Sequence, residues 1–543
     1  MTTSENNVAL INYYLRRLLW SPWAIPLCIF FSFFWALGAL PLFDLDEGAF
    51  TEATREMLAS GVYSATYLDG EPRYDKPILF YWLQAASIKL LGFNEWAFRL
   101  PSVIMASFWV WALFAFAREF LGARRGQIAV LFMVNSVWVA LIARSAIADA
   151  TLNLFLSLAM FDMWRYFSYR KSKHLWRVYF WMALGTLTKG PIAVFVPLAT
   201  SLSYILLNRQ VAQYYKVYFN PVGWLIYLAT VAPWLFAVYL QQGSGFFEGF
   251  IVEHNLKRFS DTRENHGGSL FYYVAALPFI LLPLSGLIFC ALRRLKTFWQ
   301  TPLCRFLLLW FSVIFVVFSF SKTQLPHYIL NACVPLFLLF ALSRGLTRGR
   351  AWLFALPVAI TALLFLLPSI IASIAGGADN FDGAMLSRHA EVFNHQYSGA
   401  AILLIAVIGS IILLPGLQNW QRLSLIGLSL NIFIFTAFAS VASGFQQQPL
   451  HQIMAYLEEK APNQQVVAYR MHMPSFSVYR EQITPLRAPQ SGELAITRVD
   501  RLKQLHAELS GKPTKILFQS GGLLVLEVDP EDARAQGYEG EEY

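Results

Sequence analysis

Along most of this chain the hydrophobic positions neither alternate nor recur on one face; they run together. Apolar runs poor in charge, several of them with none, lie near residues 21–42, 99–118, 126–145, 148–167, 176–190, 191–208, 220–240, 269–292, 303–320, 327–343, 351–374, 399–417 and 423–443. About 20 apolar residues make a helix long enough to cross roughly 30 Å of hydrocarbon. The pattern predicts an all-α polytopic membrane protein with about thirteen transmembrane helices. The first run is too long for a signal-peptide core and has no small-residue cleavage site. It reads as a retained anchor with Arg16 and Arg17 inside.

Two stretches break the pattern. In the loop 43–98, apolar or small residues recur at Phe50, Ala53, Met57 and Leu58. That spacing predicts an amphipathic helix over 47–60, lying on the membrane surface. Residues 76–92 predict a second, more apolar one, with Asp75 and Pro77 as start signals. Beyond residue 444 the apolar runs shorten, as in "QVVAYR", "KILFQ" and "LLVLEV", with helix-like segments between them. The predicted organisation is a transmembrane domain over 1–444, a small α/β domain over 445–530 and an acidic, disordered tail over 531–543.

Charge then orients the chain. Of the residues, 57% are hydrophobic and only 14% charged, so the net charge of +9 is a matter of membrane topology and not of nucleic-acid binding. One set of alternate loops holds Arg118, Arg124, Arg125, Arg170, Lys171, Lys173, Arg293, Arg294, Arg344 and Arg348 with almost no acid, and reads as cytoplasmic. The opposite loops, 43–98, 144–149, 241–268, 321–327 and 375–398, mix both signs, and an odd span count puts the α/β domain on their side. The four cysteines lie in or beside apolar runs without metal-ligand spacing, and read as buried thiols.

Ionisable side chains at the lip of a membrane span point to function. The outer rim offers Asp46, Asp75 and Asp149 as bases or ligands, and Lys76, Arg258, Lys322 and Lys189 as anion-binding cations. Each has a plainer use. Asp46 or Asp44 could cap the helix over 47–60, Asp75 and Lys76 could form a cap and an ion pair, and His254 could be structural. Together, cations and carboxylates around an apolar groove suit a lipid phosphate, its tail in the bilayer and its head at the interface. A carboxylate could then take the proton of an attacking hydroxyl.

The segments "EATREMLASG", "RYDKPILFYWL", "LTKGPIAVFVP", "VEHNLKRF" and "KTQLPHYIL", with a DE pair after the first span, occur in this order. In them the chain resembles the GT-C-fold glycosyltransferases of the protein O-mannosyltransferase superfamily, and within it the bacterial aminoarabinose transferases that modify lipid A. The resemblance implies an inverting glycosyltransferase in the bacterial inner membrane, working on its periplasmic face. Its implied partners are a polyprenyl-phosphate sugar (undecaprenyl phosphate as carrier), membrane lipids, and a lipid or glycan acceptor such as lipid A. A protein acceptor and a flippase role are the alternatives. Position by position, Asp46 is similar to the catalytic aspartate, with Asp149 beside it; Lys76, Arg258, Lys322 and Tyr328 would hold the donor phosphate. Glu47, Tyr74, Lys189 and His327 would line the cavity, and Asp75 with His254 would offer a divalent-metal site, although the transfer itself requires no cofactor. Two runs depart from the family: "DETRYAE" reads "DEGAFTE" here, and "KLPTY" reads "QLPHY", which adds His327.

Overall fold

The computed structural model describes residues 3–256, 269–343, 351–375, 380–462, 464–509 and 512–528. Arg258 and the 531–543 tail lie outside them. Among the described residues seven helices are long and apolar enough to cross a membrane, or up to nine if each of two bent pairs is one span. The other expected spans fall short for physical reasons. Asp149–Tyr169 and Ser172–Lys189 are long enough but carry several charges, and Ile192–Leu207 has only 16 residues. The run 269–292 breaks into Tyr272–Ile280 and Leu287–Leu292 around Pro283. The first span is also broken: Asn12–Trp20 and Ala24–Phe34 meet at 94°.

The chain forms two compact units. The first comprises Met1–Leu37, Arg73–Thr361 and Leu404–Phe433. Its helices cannot be driven together by the hydrophobic effect within lipid, so close packing and interhelical hydrogen bonds carry the association. Trp109 donates to Ser157 at 2.7 Å, Trp310 to Asn331 at 3.0 Å, and Asn331 to the Asn153 carbonyl at 3.3 Å, which ties the Asp149–Tyr169 helix to two neighbours. Ala123–Val134 and Val137–Arg144 bend by 67° at Asn135–Ser136. Gly427 packs on the bend so closely that a Cβ there would stand 2.1 Å from the Asn135 carbonyl oxygen. The Val137 amide donates to Leu282, so two irregular stretches satisfy each other where no water would.

The second unit comprises Gly38–Pro72, Ala362–Leu403 and Ile434–Tyr543. This division differs from the boundaries read in the sequence, since the loop 43–98 is cut between Pro72 and Arg73. Strands β1 (Tyr67–Leu68) and β2 (Glu71–Pro72) make a minimal hairpin. Strands β3 (Val466–Ala468), β4 (Leu494–Arg498), β5 (Thr514–Ser520) and β6 (Leu523–Val528) form a sheet of order β3-β4-β6-β5, with β3 and β4 parallel and the other pairs antiparallel. Alternation sorts its two faces. Val466, Ile496, Leu523 and Val525 pack on Leu450, Ile453 and Leu457 of the Gln448–Lys460 helix, while Val467, Ala495, Leu526 and Val528 pack on Leu505 and Leu509.

Onto this unit docks the acidic helix Asp46–Ser60. The Asp44 carboxylate accepts from the Ser475 amide at 3.0 Å, from the Ser475 hydroxyl and from Gln447 at 3.2 Å. The Leu42 amide donates to Tyr479 at 2.6 Å, and Arg55 donates to the Glu481 carbonyl at 3.1 Å. A Cβ on Gly48 would come within 2.7 Å of the Ser475 nitrogen, so only glycine allows this approach. Asp46 is not the expected N-cap: the cap position is Leu45, and Asp46 lies in the first turn. The Glu47 carboxylate reaches back to accept from the Phe43 amide at 2.9 Å, in the chain that enters the helix.

Candidate active site

In the first unit, two helices joined by only Arg170 and Lys171 lie antiparallel. Twenty-one residues outward and eighteen back are nearly equal lengths, about 30 Å each, so the start of one helix lies beside the end of the other. Asp149 begins the first and Lys189 ends the second. Each charge suits the helix dipole at its own end. Lys189 Nζ donates to Asp149 Oδ1 at 2.7 Å. Gly190, at φ +88°, stops the second helix, and a Cβ there would strike Phe250 at 2.5 Å. Glycine is therefore required twice over, by the turn and by the close approach of the segment Glu248–Leu256 that carries His254.

The turn Pro326–Ile329 brings His327 and Tyr328 to the same place. His327 Nε2 lies 3.9 Å from Asp149 Oδ1, and its ring meets Tyr328 edge to face at 4.8 Å. The Lys189 ammonium sits 5.4 Å from the centre of the Tyr328 ring. On the chain entering the Leu79–Leu91 helix, Arg73 grips Asp75 with two bonds of 2.6 and 3.0 Å, and Lys76 adds a third at 3.1 Å. Burial alone would push the Asp75 carboxyl up. Arg73 and Lys76 outweigh it, with His254 adding a smaller pull, and hold the carboxyl well below the usual range.

These groups open on one cavity of about 600 Å³. Asp75, Lys76, Asp149, Lys189, His254, His327 and Tyr328 line its polar part. Most of its remaining wall is apolar, built from residues such as Leu152, Leu156, Phe195, Val196, Ile314 and Val317. Among the described residues, Lys76 and Lys189 line the cavity with Asp75 and Asp149, Arg73 grips Asp75, and His254 and His327 add two imidazoles. Ammonium groups gathered at the end of a largely apolar cavity suit an anion that carries a long apolar chain.

Some expected members stand elsewhere. Lys322 is exposed and does not line the cavity, although its neighbour Ser321 does. Tyr74 packs against Gly245 and Gly249, where a Cβ would come within 3.1 and 2.6 Å of it, and so buttresses the segment leading to His254. Asp46 and Glu47 belong to the second unit. Arg73 went unnoticed in the sequence, although "RYDK" places it two residues from Asp75, the spacing that shares a side in extended chain. Asp75 and His254 as arranged do not fit a divalent cation, because both Asp75 oxygens are engaged by cations. Among the described residues no group of three His, Cys, Asp or Glu side chains could hold one.

Residues 75–236, which include most of this site, match the family of dolichyl-phosphate-mannose-protein mannosyltransferases. The fold is that of ArnT from Cupriavidus metallidurans: the structure bound to undecaprenyl phosphate aligns with a TM-score of 0.76 over 94% of this chain and 97% of that one, at 18% identity. The apo form aligns at 0.75. The likeness shows the fold, that of a multi-span GT-C membrane protein, and the family match is confined to residues 75–236. Over part of its length the chain is similar to undecaprenyl phosphate-α-4-amino-4-deoxy-L-arabinose arabinosyl transferases. Those of Aeromonas hydrophila (30% identity, 61% of this chain) and Serratia proteamaculans (29%, 60%) are examples. The chain spans 63% and 60% of the length of these two relatives, less than two thirds of either.

Proposed function

We propose that the chain is an inverting glycosyltransferase that moves a sugar from undecaprenyl phosphate to an acceptor at the periplasmic face of the bacterial inner membrane, with lipid A as the favoured acceptor. One observation carries the reading: Lys76 and Lys189 bring two ammonium groups to the polar end of a largely apolar cavity of about 600 Å³. A sugar-linked carrier phosphate is a diester with one negative charge. The acceptor oxygen attacks the anomeric carbon from the face opposite the phosphate. The carbon–oxygen bond to phosphate breaks, and its electron pair stays on the phosphate, which leaves with a second charge. Lys76 and Lys189 stabilise that growing charge, and Tyr328 frames it.

Asp46 is the base in this reading, by the family likeness. Asp44, Asp75 and Asp149 are each held by donors or cations. Asp46 is exposed and makes no ion pair among the described residues. Asp149 serves by holding Lys189 in place. Purified Asp46→Asn, assayed for transfer from an undecaprenyl-phosphate sugar, should lose about 10²–10⁴-fold in turnover while binding the carrier normally. Wild-type turnover in a folded variant would end the assignment. Mass spectrometry of lipid A from cells with and without the chain tests the acceptor: an unchanged lipid A profile would move the reading to another acceptor.

A further inference from the structure

A second cavity, of about 310 Å³, lies wholly within the second unit. Phe381, Met385 and Met471 belong to its apolar wall, and Asp44, Asp382, Arg470, His472 and Arg498 supply its polar groups. Two glycines between β5 and β6 make room for it. A Cβ on Gly522 would stand 2.6 Å from the Phe381 ring, and one on Gly521 would stand 2.8 Å from Met385 Sδ. The short helix Phe381–Leu386 can therefore seat on that turn. β3 and β4 run parallel with Ala468 opposite Ile496, so Arg470 and Arg498, each two residues further on, come to the same end of the sheet. Glu508 holds Arg470 at 2.6 Å, and Asp500 holds Arg498 with two bonds of 3.0 Å. The Arg498 guanidinium also lies 4.1 Å from the centre of the Phe381 ring. A guanidinium carries five N–H donors, so these bonds fix both groups without using every donor.

A small cavity with an apolar wall and a few fixed polar groups suits a polyhydroxyl ring. The C–H bonds of a sugar lie against apolar and aromatic side chains, and the hydroxyls at its edge both donate and accept. Here Arg470, Arg498 and His472 can donate to such an edge, and Asp382 can accept from it. The place matters as much as the chemistry. Asp44 and Leu45, which also line the cavity, are the two residues before Asp46, so a ligand there lies against the turn that carries the candidate base. We propose that this cavity is the acceptor subsite and holds a sugar ring of the acceptor glycolipid. The proposal deepens the transferase reading above and rests on it: what the second unit recognises is the acceptor's saccharide.

The test uses the full-length protein in a detergent with no sugar in its headgroup, and deacylated lipid A as the probe. Asp382 and His472 are both exposed, so replacing them should spare the fold. Asp382→Ala removes an acceptor, and His472→Trp fills the cavity. Each should weaken binding of the probe about tenfold, the scale of one lost hydrogen bond to a charged group. The KM for intact lipid A should rise by about as much while kcat stays, because the loss is of binding shared by ground and transition states. Undecaprenyl phosphate should bind both variants as it binds wild type, which also shows that they are folded. Equal binding of the probe by wild type and both variants would overturn the inference and leave the transferase reading standing. Transfer to lipid A by a wild type that does not bind the probe would do the same. A wild type that binds undecaprenyl phosphate, yet neither binds the probe nor glycosylates lipid A, would overturn the inference together with lipid A as the acceptor.

Discussion

The two units each hold a set of carboxylates, and they treat them in opposite ways. In the first unit, Asp75 is drawn down by Arg73 and Lys76 despite its burial, so it stays ionised and gathers cations around a cavity. In the second, burial pushes Glu52 up to about 7 although Arg55 forks onto it, and pushes Glu56 and Asp44 up as well. Glu52 is fully buried, in the wall where the Asp46–Ser60 helix docks. The difference separates two uses of acid in one membrane protein. Where cations grip the carboxylates, the acids position charge for a ligand; where hydrogen bonds and burial dominate, they fasten the chain to itself. The acidic helix after the first span is thus mostly a docking element, and only Asp46, exposed at its head, stands apart.

If the first unit's acids position cations for an anion, removing a cation should harm chemistry and spare folding. Lys189→Met is expected to lower transfer about 10²–10³-fold, of the order seen when one preorganised donor to a developing charge is lost. Asp149→Asn should lose less, because the ammonium remains but is no longer held. Equal losses of thermal stability and of activity in Lys189→Met would erase the contrast between the units. The second unit should answer in the opposite manner. Asp44→Ala removes an acceptor that serves the Ser475 amide, the Ser475 hydroxyl and Gln447. It should destabilise the docking of the helix by about 2–3 kcal/mol, the scale for hydrogen bonds to a charged group. Hydrogen exchange across residues 46–60 would read this as faster opening; unchanged protection would show that Asp44 fastens nothing.

Much of the site could be read along the chain because it is built from local rules. Asp149 and Lys189 lie at the open end of a tight helical hairpin, and the apolar runs around them give its arms. Lys76, His254, His327 and Tyr328 were likewise placed at the outer ends of apolar runs, and the cavity collects them. Lys322 was grouped with them by nearness in sequence, but one position in a turn changes which way a side chain faces, and it is exposed while Ser321 is not. The docking of Asp44 on Ser475 was not legible at all. Those residues are 431 positions apart, and nothing in the local pattern of either segment encodes the partner. The loop 43–98 therefore read as one element, when its first part fastens to the C-terminal α/β segment and its second part enters the cavity wall.

The smallest effect sharpens the comparison most, because it turns on sign. A carboxyl whose folded value is raised gives stability that is complete below its unfolded value, near 4.5, and is lost as pH rises through the folded value. With Glu52 at about 7, the loss between pH 5 and pH 7 amounts to roughly 2 kcal/mol. Glu56 and Asp44 share its sign. Asp75 runs the other way: its contribution is present above the ordinary carboxylate value and is lost only as pH falls through its lowered one, so it is silent in this window. Hydrogen exchange at pH 5 and pH 7, corrected for the intrinsic rate, should therefore show the Asp46–Ser60 helix loosening with rising pH while the residues around Asp75 do not change. In Glu52→Gln, which cannot ionise, the pH dependence of the helix should shrink by about that amount, leaving the share of Glu56 and Asp44. A helix equally protected at both pH values in wild type would mean that Glu52 titrates as an ordinary carboxylate, and that the two units do not differ in the way proposed.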